Sequence, residues 1–226
     1  MKNTTAYIFG MISIFLLLHV LHAAEKKEWD VTTPRGKTRT IEFNTTEGTK
    51  MSVDVSPDGK WIAFDLLAHI YRVPISGGDA QCLTQDSGIA INFAPRFSPD
   101  GKSIAFISDR KGQENLWIMD ADGKNPRAVF TDSNVCIVDP AWSPDSNYIV
   151  VRKQKACHRG YGSSDGLWMY HKDGGTGIQI LKERGASWPS VAPDGKSVYY
   201  QALTCSGLPA AQSEITRWSM GCVCSR

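Results

Sequence analysis

No excess of charge of either sign marks this chain. Its 226 residues carry 25 Lys and Arg against 23 Asp and Glu, a net charge of +2 with both signs mixed along the sequence. So near neutrality there is no long-range field to gather nucleic acid or an anionic membrane, and neither is expected as a partner. Histidine is scarce: past the first 25 residues only His69, His158 and His171 occur, with no His-x-His pair. A metal-dependent hydrolase needs clustered imidazoles and a carboxylate around its ion, so no metal site and no cofactor are expected. Cysteine is no denser. Cys82, Cys136, Cys157 and Cys205 stand singly and only Cys222 and Cys224 are close, which does not read as a disulfide framework. A chain of this length builds its core without such staples. Past the first two dozen residues no segment sustains a helical period, which excludes helical and mixed folds.

What is present begins with a leader. Lys2 is the only charged residue before Glu25, Ala6 to Leu21 is mostly apolar, and His22-Ala23-Ala24 follows. A charged start, a short apolar stretch and a small-residue exit are the parts of a secretory signal peptide. The apolar stretch is 16 residues long, short of the ~20 that cross a bilayer comfortably. Residues 1–24 are therefore expected to be removed near Ala23 or Ala24. That leaves an exported chain, periplasmic or secreted, with no membrane span after cleavage.

The strongest signal is a repeat. Ser56-Pro57-Asp58-Gly59-Lys60-Trp61-Ile62-Ala63-Phe64 recurs as Ser98 to Phe106, as Ser143 to Val151 and as Ala192 to Tyr200, with the prolines at 57, 99, 144 and 193. The steps are 42, 45 and 49 residues. Proline sets φ at the first corner of a tight turn, aspartate bonds its own backbone, and glycine takes the positive φ that closes it. Runs of β-branched and aromatic residues flank each turn, which makes it the tip of a β-hairpin. A third strand is expected at His69 to Val73, Asn115 to Met119 and Gly166 to Tyr170. A fourth is expected at Gln81 to Thr84, Arg127 to Thr131 and Ile178 to Leu181. Four antiparallel strands per repeat of this length predict an all-β propeller of about three complete blades and a partial fourth.

The repeat turn with Ile104-Ala105-Phe106 after it, then Ser108-Asp109-Arg110, Leu116-Trp117 and Asp120-Ala121-Asp122-Gly123, resembles the TolB-like β-propeller repeat. A narrower resemblance covers Trp29 to about Tyr200. It rests on Trp29-Asp30-Val31, Glu47-Gly48-Thr49, Met51 to Gly59 and Phe64-Asp65-Leu66-Leu67. These look like the opening of exported amidohydrolases that carry a TolB-like propeller at the front. The resemblance implies a hydrolase domain in cis, following the propeller, which this chain does not contain.

Residues 25–200 thus form the repeats and 201–226 a divergent tail. Thr38-Arg39-Thr40-Ile41-Glu42-Phe43 reads as the last strand of a blade with none before it. Phe43 precedes Pro57 by 14 residues, the same interval as from Phe130 to Pro144. After Tyr200 the pattern fades, although Glu214 to Met220 has strand character. Two readings follow: a piece of a larger ring, which the fading tail favours, or a small four-bladed ring closed by the leading strand.

No catalytic residue is expected. Gly162-Ser163-Ser164-Asp165-Gly166 matches a nucleophile elbow in form, but that motif needs a strand-to-helix turn, and here it enters a strand. Asp58, Asp100, Asp145 and Asp194 offer one carboxylate per turn, too few for the 6–8 oxygens calcium takes. The expected function is a non-catalytic exported propeller that binds a protein or peptide. The alternatives are a stand-alone TolB-like envelope scaffold and part of a propeller-bearing serine peptidase.

Overall fold

A computed structural model describes residues 30–155, 164–182, 185–201 and 218–219. The turn of each repeat is a lock built from side chains. In the first, the Ser56 hydroxyl donates to Asp58 Oδ1 (2.6 Å) and accepts the Trp61 amide (2.9 Å), while the Lys60 amide donates to the same carboxylate oxygen (3.1 Å). Ser98 with Asp100 and Ser143 with Asp145 repeat this arrangement. In the fourth repeat Ala192 replaces the serine, and Asp194 keeps only the bond from the Lys196 amide (2.9 Å). Gly59, Gly101 and Gly195 take φ of 69°, 70° and 68°, and Ser146 takes 60° at the same place in the third turn. The Ser146 hydroxyl also accepts the Asp100 amide (3.0 Å) of the preceding turn.

Four antiparallel sheets follow from these hairpins. Blade 1 comprises β1 (Val53–Val55), β2 (Trp61–Leu66), β3 (His69–Pro74) and β4 (Gln81–Cys82). Blade 2 comprises β5 (Asn92–Phe97), β6 (Ser103–Ser108), β7 (Asn115–Asp120) and β8 (Arg127–Phe130). Blade 3 comprises β9 (Val135–Trp142), β10 (Tyr148–Lys155), β11 (Ser164–His171) and β12 (Ile178–Leu181). Blade 4 has β13 (Ser187–Val191), β14 (Ser197–Gln201) and β15 (Trp218–Ser219). The only described helix is a single 3-10 turn, Gln85–Ser87, between blades 1 and 2.

Alternation along each middle strand sends successive side chains to opposite faces, so blades 2 and 3 each pack on two neighbours. Ile104 and Phe106 turn back onto Ala63, Ile70 and Leu83 of blade 1. Ala105, Ile107, Leu116 and Ile118 turn forward onto Ile149, Val151 and Tyr170 of blade 3. Val150 and Leu167 meet Val198 and Tyr200 of blade 4. The first strands β1, β5, β9 and β13 lie side by side along the axis. Further ties run between blades: Arg72 donates to the Ala121 carbonyl (2.9 Å), and Arg127 to the Lys172 carbonyl (2.8 Å).

Of two expectations about the ends, one changes. Thr38 to Phe43 is irregular rather than a strand, with Ile41 and Phe43 64% and 61% exposed. A strand needs a ladder partner, and this segment pairs with none of the described strands. In the other direction, the strand character read at Glu214 to Met220 is realised as β15, whose Trp218 and Ser219 pair with Val198 and Ser197.

The lock makes two testable demands. Gly101→Val places a β-branched residue at φ 70° and is expected to cost on the order of 1–2 kcal/mol in chemical denaturation. Burial works to raise Asp145, but the Ser143 hydroxyl and the Asn147 amide and side chain outweigh it and hold the carboxyl below its usual range. A depressed carboxyl contributes stability above its unfolded pKa of ~3.9 and loses it as pH falls through the lower folded value. Ser143→Ala is therefore expected to destabilise by about 1 kcal/mol at pH 7. The difference from the parent should shrink in unfolding curves taken as the pH falls below ~3.9 and through the lower folded value.

Candidate functional site: the axial groove

The first strand of a blade has one feature the repeat turn does not explain. Ala94, Asp139 and Trp188 have φ of 54°, 57° and 47°, and each stands directly before a proline: Pro95, Pro140 and Pro189. The ladder register slips at these points, between Phe93 and Arg96, between Val138 and Ala141, and between Ser187 and Ser190. Each is a β-bulge in which the proline, lacking an N–H, breaks the ladder. Positive φ at such residues costs about 1–3 kcal/mol and persists only where its surroundings over-determine it.

Carboxylates supply that constraint. Asp65 accepts the Ala94 amide on Oδ2 (2.7 Å) and the Ser52 amide on Oδ1 (3.1 Å). Asp139 Oδ2 accepts Arg152 Nε (2.8 Å) and, at a longer 3.4 Å, the Trp188 amide. Their side chains are only 12% and 16% exposed for Arg152 and Asp139. Asp54 Oδ2 accepts the Phe97 amide (2.7 Å), and Trp142 Nε1 donates to the Arg96 carbonyl (2.9 Å). Every pair of neighbouring axial strands is thus joined by a side-chain-to-backbone bond. Burial raises the Asp54 carboxyl, with the Phe97 amide and Arg96 pulling it back only in part.

Between these strands lies a groove of about 370 Å³, to which all four blades contribute. Asp54, Arg96, Trp142, Asp139 and Trp188 line it, and Trp188 is 55% exposed. Charge of both signs beside an open indole suits recognition of a polypeptide, since aromatic and Arg side chains anchor such contacts. The sequence reading overlooked this set. Its signal was a proline four residues ahead of the turn proline, at 95, 140 and 189.

The residues weighed for chemistry are not brought together. His69 Nδ1 lies 3.1 Å from the Thr84 carbonyl. His171 accepts the Asp173 amide on Nδ1 (3.2 Å) in a different blade and packs edge-on to Tyr148. Among the described residues no His, Cys, Asp and Glu side chains cluster as metal ligands would. Ser164 opens β11, so the described part of the Gly-x-Ser-x-Gly match runs along a strand. Cys157, His158, Gly162, Ser163, Cys205, Cys222, Cys224 and the leader lie outside the described residues. Cys82 is a thiol, and the Cys136 sulfur donates to Gln113 Oε1 at 3.5 Å. Ser108-Asp109-Arg110 is structural: Asp109 accepts the Ile91 amide (2.8 Å), and the Arg110 guanidinium lies over Phe106 and Trp117 while donating to Asn92. Asn92 in turn donates to the Ala68 carbonyl of blade 1 (3.0 Å).

Asp139→Ala is expected to destabilise by about 1–3 kcal/mol in urea denaturation, because it removes the carboxylate that accepts Arg152 Nε and the Trp188 amide. Asp139→Asn keeps the acceptor and tolerates positive φ, so its loss should be the smaller of the two.

Comparison with known proteins agrees with this architecture. A relative in Francisella tularensis subsp. mediasiatica, Tol-Pal system protein TolB, is 30% identical over 202 residues, covering 67% of this chain and 45% of its own length. A segment of 58 residues is 47% identical to the uncharacterized peptidase YuxL of Bacillus subtilis, covering 25% of this chain and 9% of that one. The chain thus spans less than half the length of either relative. Among solved structures, a putative TolB from Agrobacterium tumefaciens superposes with a TM-score of 0.55 at 21% identity, over 67% of this chain and 53% of that one. A puromycin-hydrolyzing peptidase of Mycobacterium tuberculosis superposes at 0.53 with 15% identity, over 69% and 26%. The family model described as TolB beta propeller domain matches residues 25–209, and the chain belongs to that family.

Proposed function

We propose that this is an exported, non-catalytic propeller domain that binds a protein or peptide partner in its axial groove. The observation that carries the reading is the groove itself: the regular strand β1 and three bulged strands hold Asp54, Arg96 and an open Trp188 on one concave surface. Strain kept at Ala94, Asp139 and Trp188 is the kind a fold retains where it presents side chains to a ligand. Export rests on the leader pattern of residues 1–24, and a periplasmic or secreted location follows from it. The resemblance of Trp29 to Tyr200 to the front of exported amidohydrolases supports a hydrolase domain in cis as the first partner, so that chemistry resides outside this propeller. The segment similar to the uncharacterized peptidase YuxL supports a second reading, in which the domain belongs to a propeller-bearing serine peptidase and meets its substrate at the same groove. A TolB-like envelope scaffold, the third reading, would use that surface for a separate protein.

A photo-crosslinking residue at position 188 is expected to capture a polypeptide when the chain is made in an exporting host. The same residue at position 178, on the outer strand β12, should capture none. Trp188→Ala should weaken binding of the captured polypeptide about tenfold in titration. Equal capture from both positions, or none from 188, refutes the reading.

A further inference from the structure

Blades within the chain join by one rule. Each turns a back face, carrying two large cross-strand pairs, onto the forward face of the blade before it. In blade 2 the pairs are Ile104 with Met119 and Phe106 with Trp117; in blade 3 they are Ile149 with Tyr170 and Val151 with Trp168. The forward face that receives them carries a smaller residue at the sixth place after the turn proline: Ala63, Ala105 and Val150 in blades 1, 2 and 3. Three interfaces use this pairing.

Among the described residues one face of each kind has no such core against it. Blade 1 carries the same back-face pairs, Ile62 with Val73 and Phe64 with Tyr71, and the latter two rings stack at 5.6 Å. Val53 and Val55 extend these rows onto β1 and are 53% and 48% exposed. Residues 41–47 pass beside this face and leave a groove of about 1240 Å³ over Phe64, Tyr71 and Val73. At the other end blade 4 presents Tyr199, the counterpart of Ala63, Ala105 and Val150, 40% exposed. Apolar faces of this extent mark interaction surfaces.

We propose that the open back face of blade 1 receives the forward face of blade 4 from a second copy of this chain. Copies associate head to tail by the face pairing already used three times inside one copy. Tyr199 then lies against the Phe64–Tyr71 stack, an aromatic contact in place of an aliphatic one. Such an interface is heterologous, so it propagates beyond a dimer unless the rotation closes a ring. The turns predict the alignment. Within the chain the Cβ position of Gly101 lies 3.8 Å from Pro57, and that of Gly195 lies 3.9 Å from Pro144. Gly59 of one copy should therefore lie beside Pro193 of the next, bringing Lys60 and Lys196 near each other. The axial groove has no part in this contact.

Sedimentation velocity across a concentration series tests it. The parent chain is expected to pass beyond dimer. Val53→Asp disables only the receiving face and Tyr199→Asp only the donating face. Each alone should be monomeric, with an unchanged far-UV spectrum, and an equimolar mixture should form a dimer and stop there. A parent chain that stays monomeric, a Tyr199→Asp variant that still self-associates, or a mixture that fails to pair would each overturn the proposal. Should either substitution disturb folding, amine cross-linking of mixed light and heavy parent chains decides. A Lys60–Lys196 link between isotopically distinct copies supports the proposal, and its absence refutes it.

Discussion

The hydrogen bond from a turn serine to the aspartate two residues on is the contact from which the remaining structure follows. It is local and it recurs at Ser56, Ser98 and Ser143. Because the same hydroxyl accepts the amide five residues ahead, it closes the hairpin in one register and assigns every residue of the second strand to a face. A slip of one residue would exchange Ala105 and Phe106, and with them the forward and back faces of blade 2. Turn chemistry therefore determines packing between blades as well as within them. The turns also abut: the Ser146 hydroxyl takes the Asp100 amide, linking blades 2 and 3 at the rim.

At the axis the constraint is of another kind. Ala94, Asp139 and Trp188 are held at positive φ by contacts that reach across blades rather than along the strand. A buried Arg152–Asp139 pair is weak evidence of stability by itself. Here it sits at a positive-φ backbone that the chain would otherwise avoid, beside the exposed indole of Trp188.

The difference between local and distant causes explains what could be read from the sequence. The strand Ser187–Val191 was legible to the residue, and the third strands to within a residue or two, because turns and alternation are encoded nearby. Ser146 in place of glycine was equally readable, since the turn around it is intact. The bulges were not legible: proline at 95, 140 and 189 disfavours a ladder, but only Asp65 and Asp139, drawn in by folding, specify which distortion results. Thr38 to Phe43 failed for the converse reason. Its alternation is that of a strand, yet pairing is supplied by a neighbour and not by the segment.

The three separate cores have a mechanical consequence. Each lies between one pair of blades, so pulling on the ends loads the interfaces in series. Among the described residues, blades 1 and 4 each share one such core and blades 2 and 3 each share two, so the outer pair is held by less packing under load. With repeats of 42 to 49 residues, each rupture releases on the order of 150 Å of extended chain. Under tension the domain pays out in steps of nearly equal length, a ratchet whose tooth is one blade.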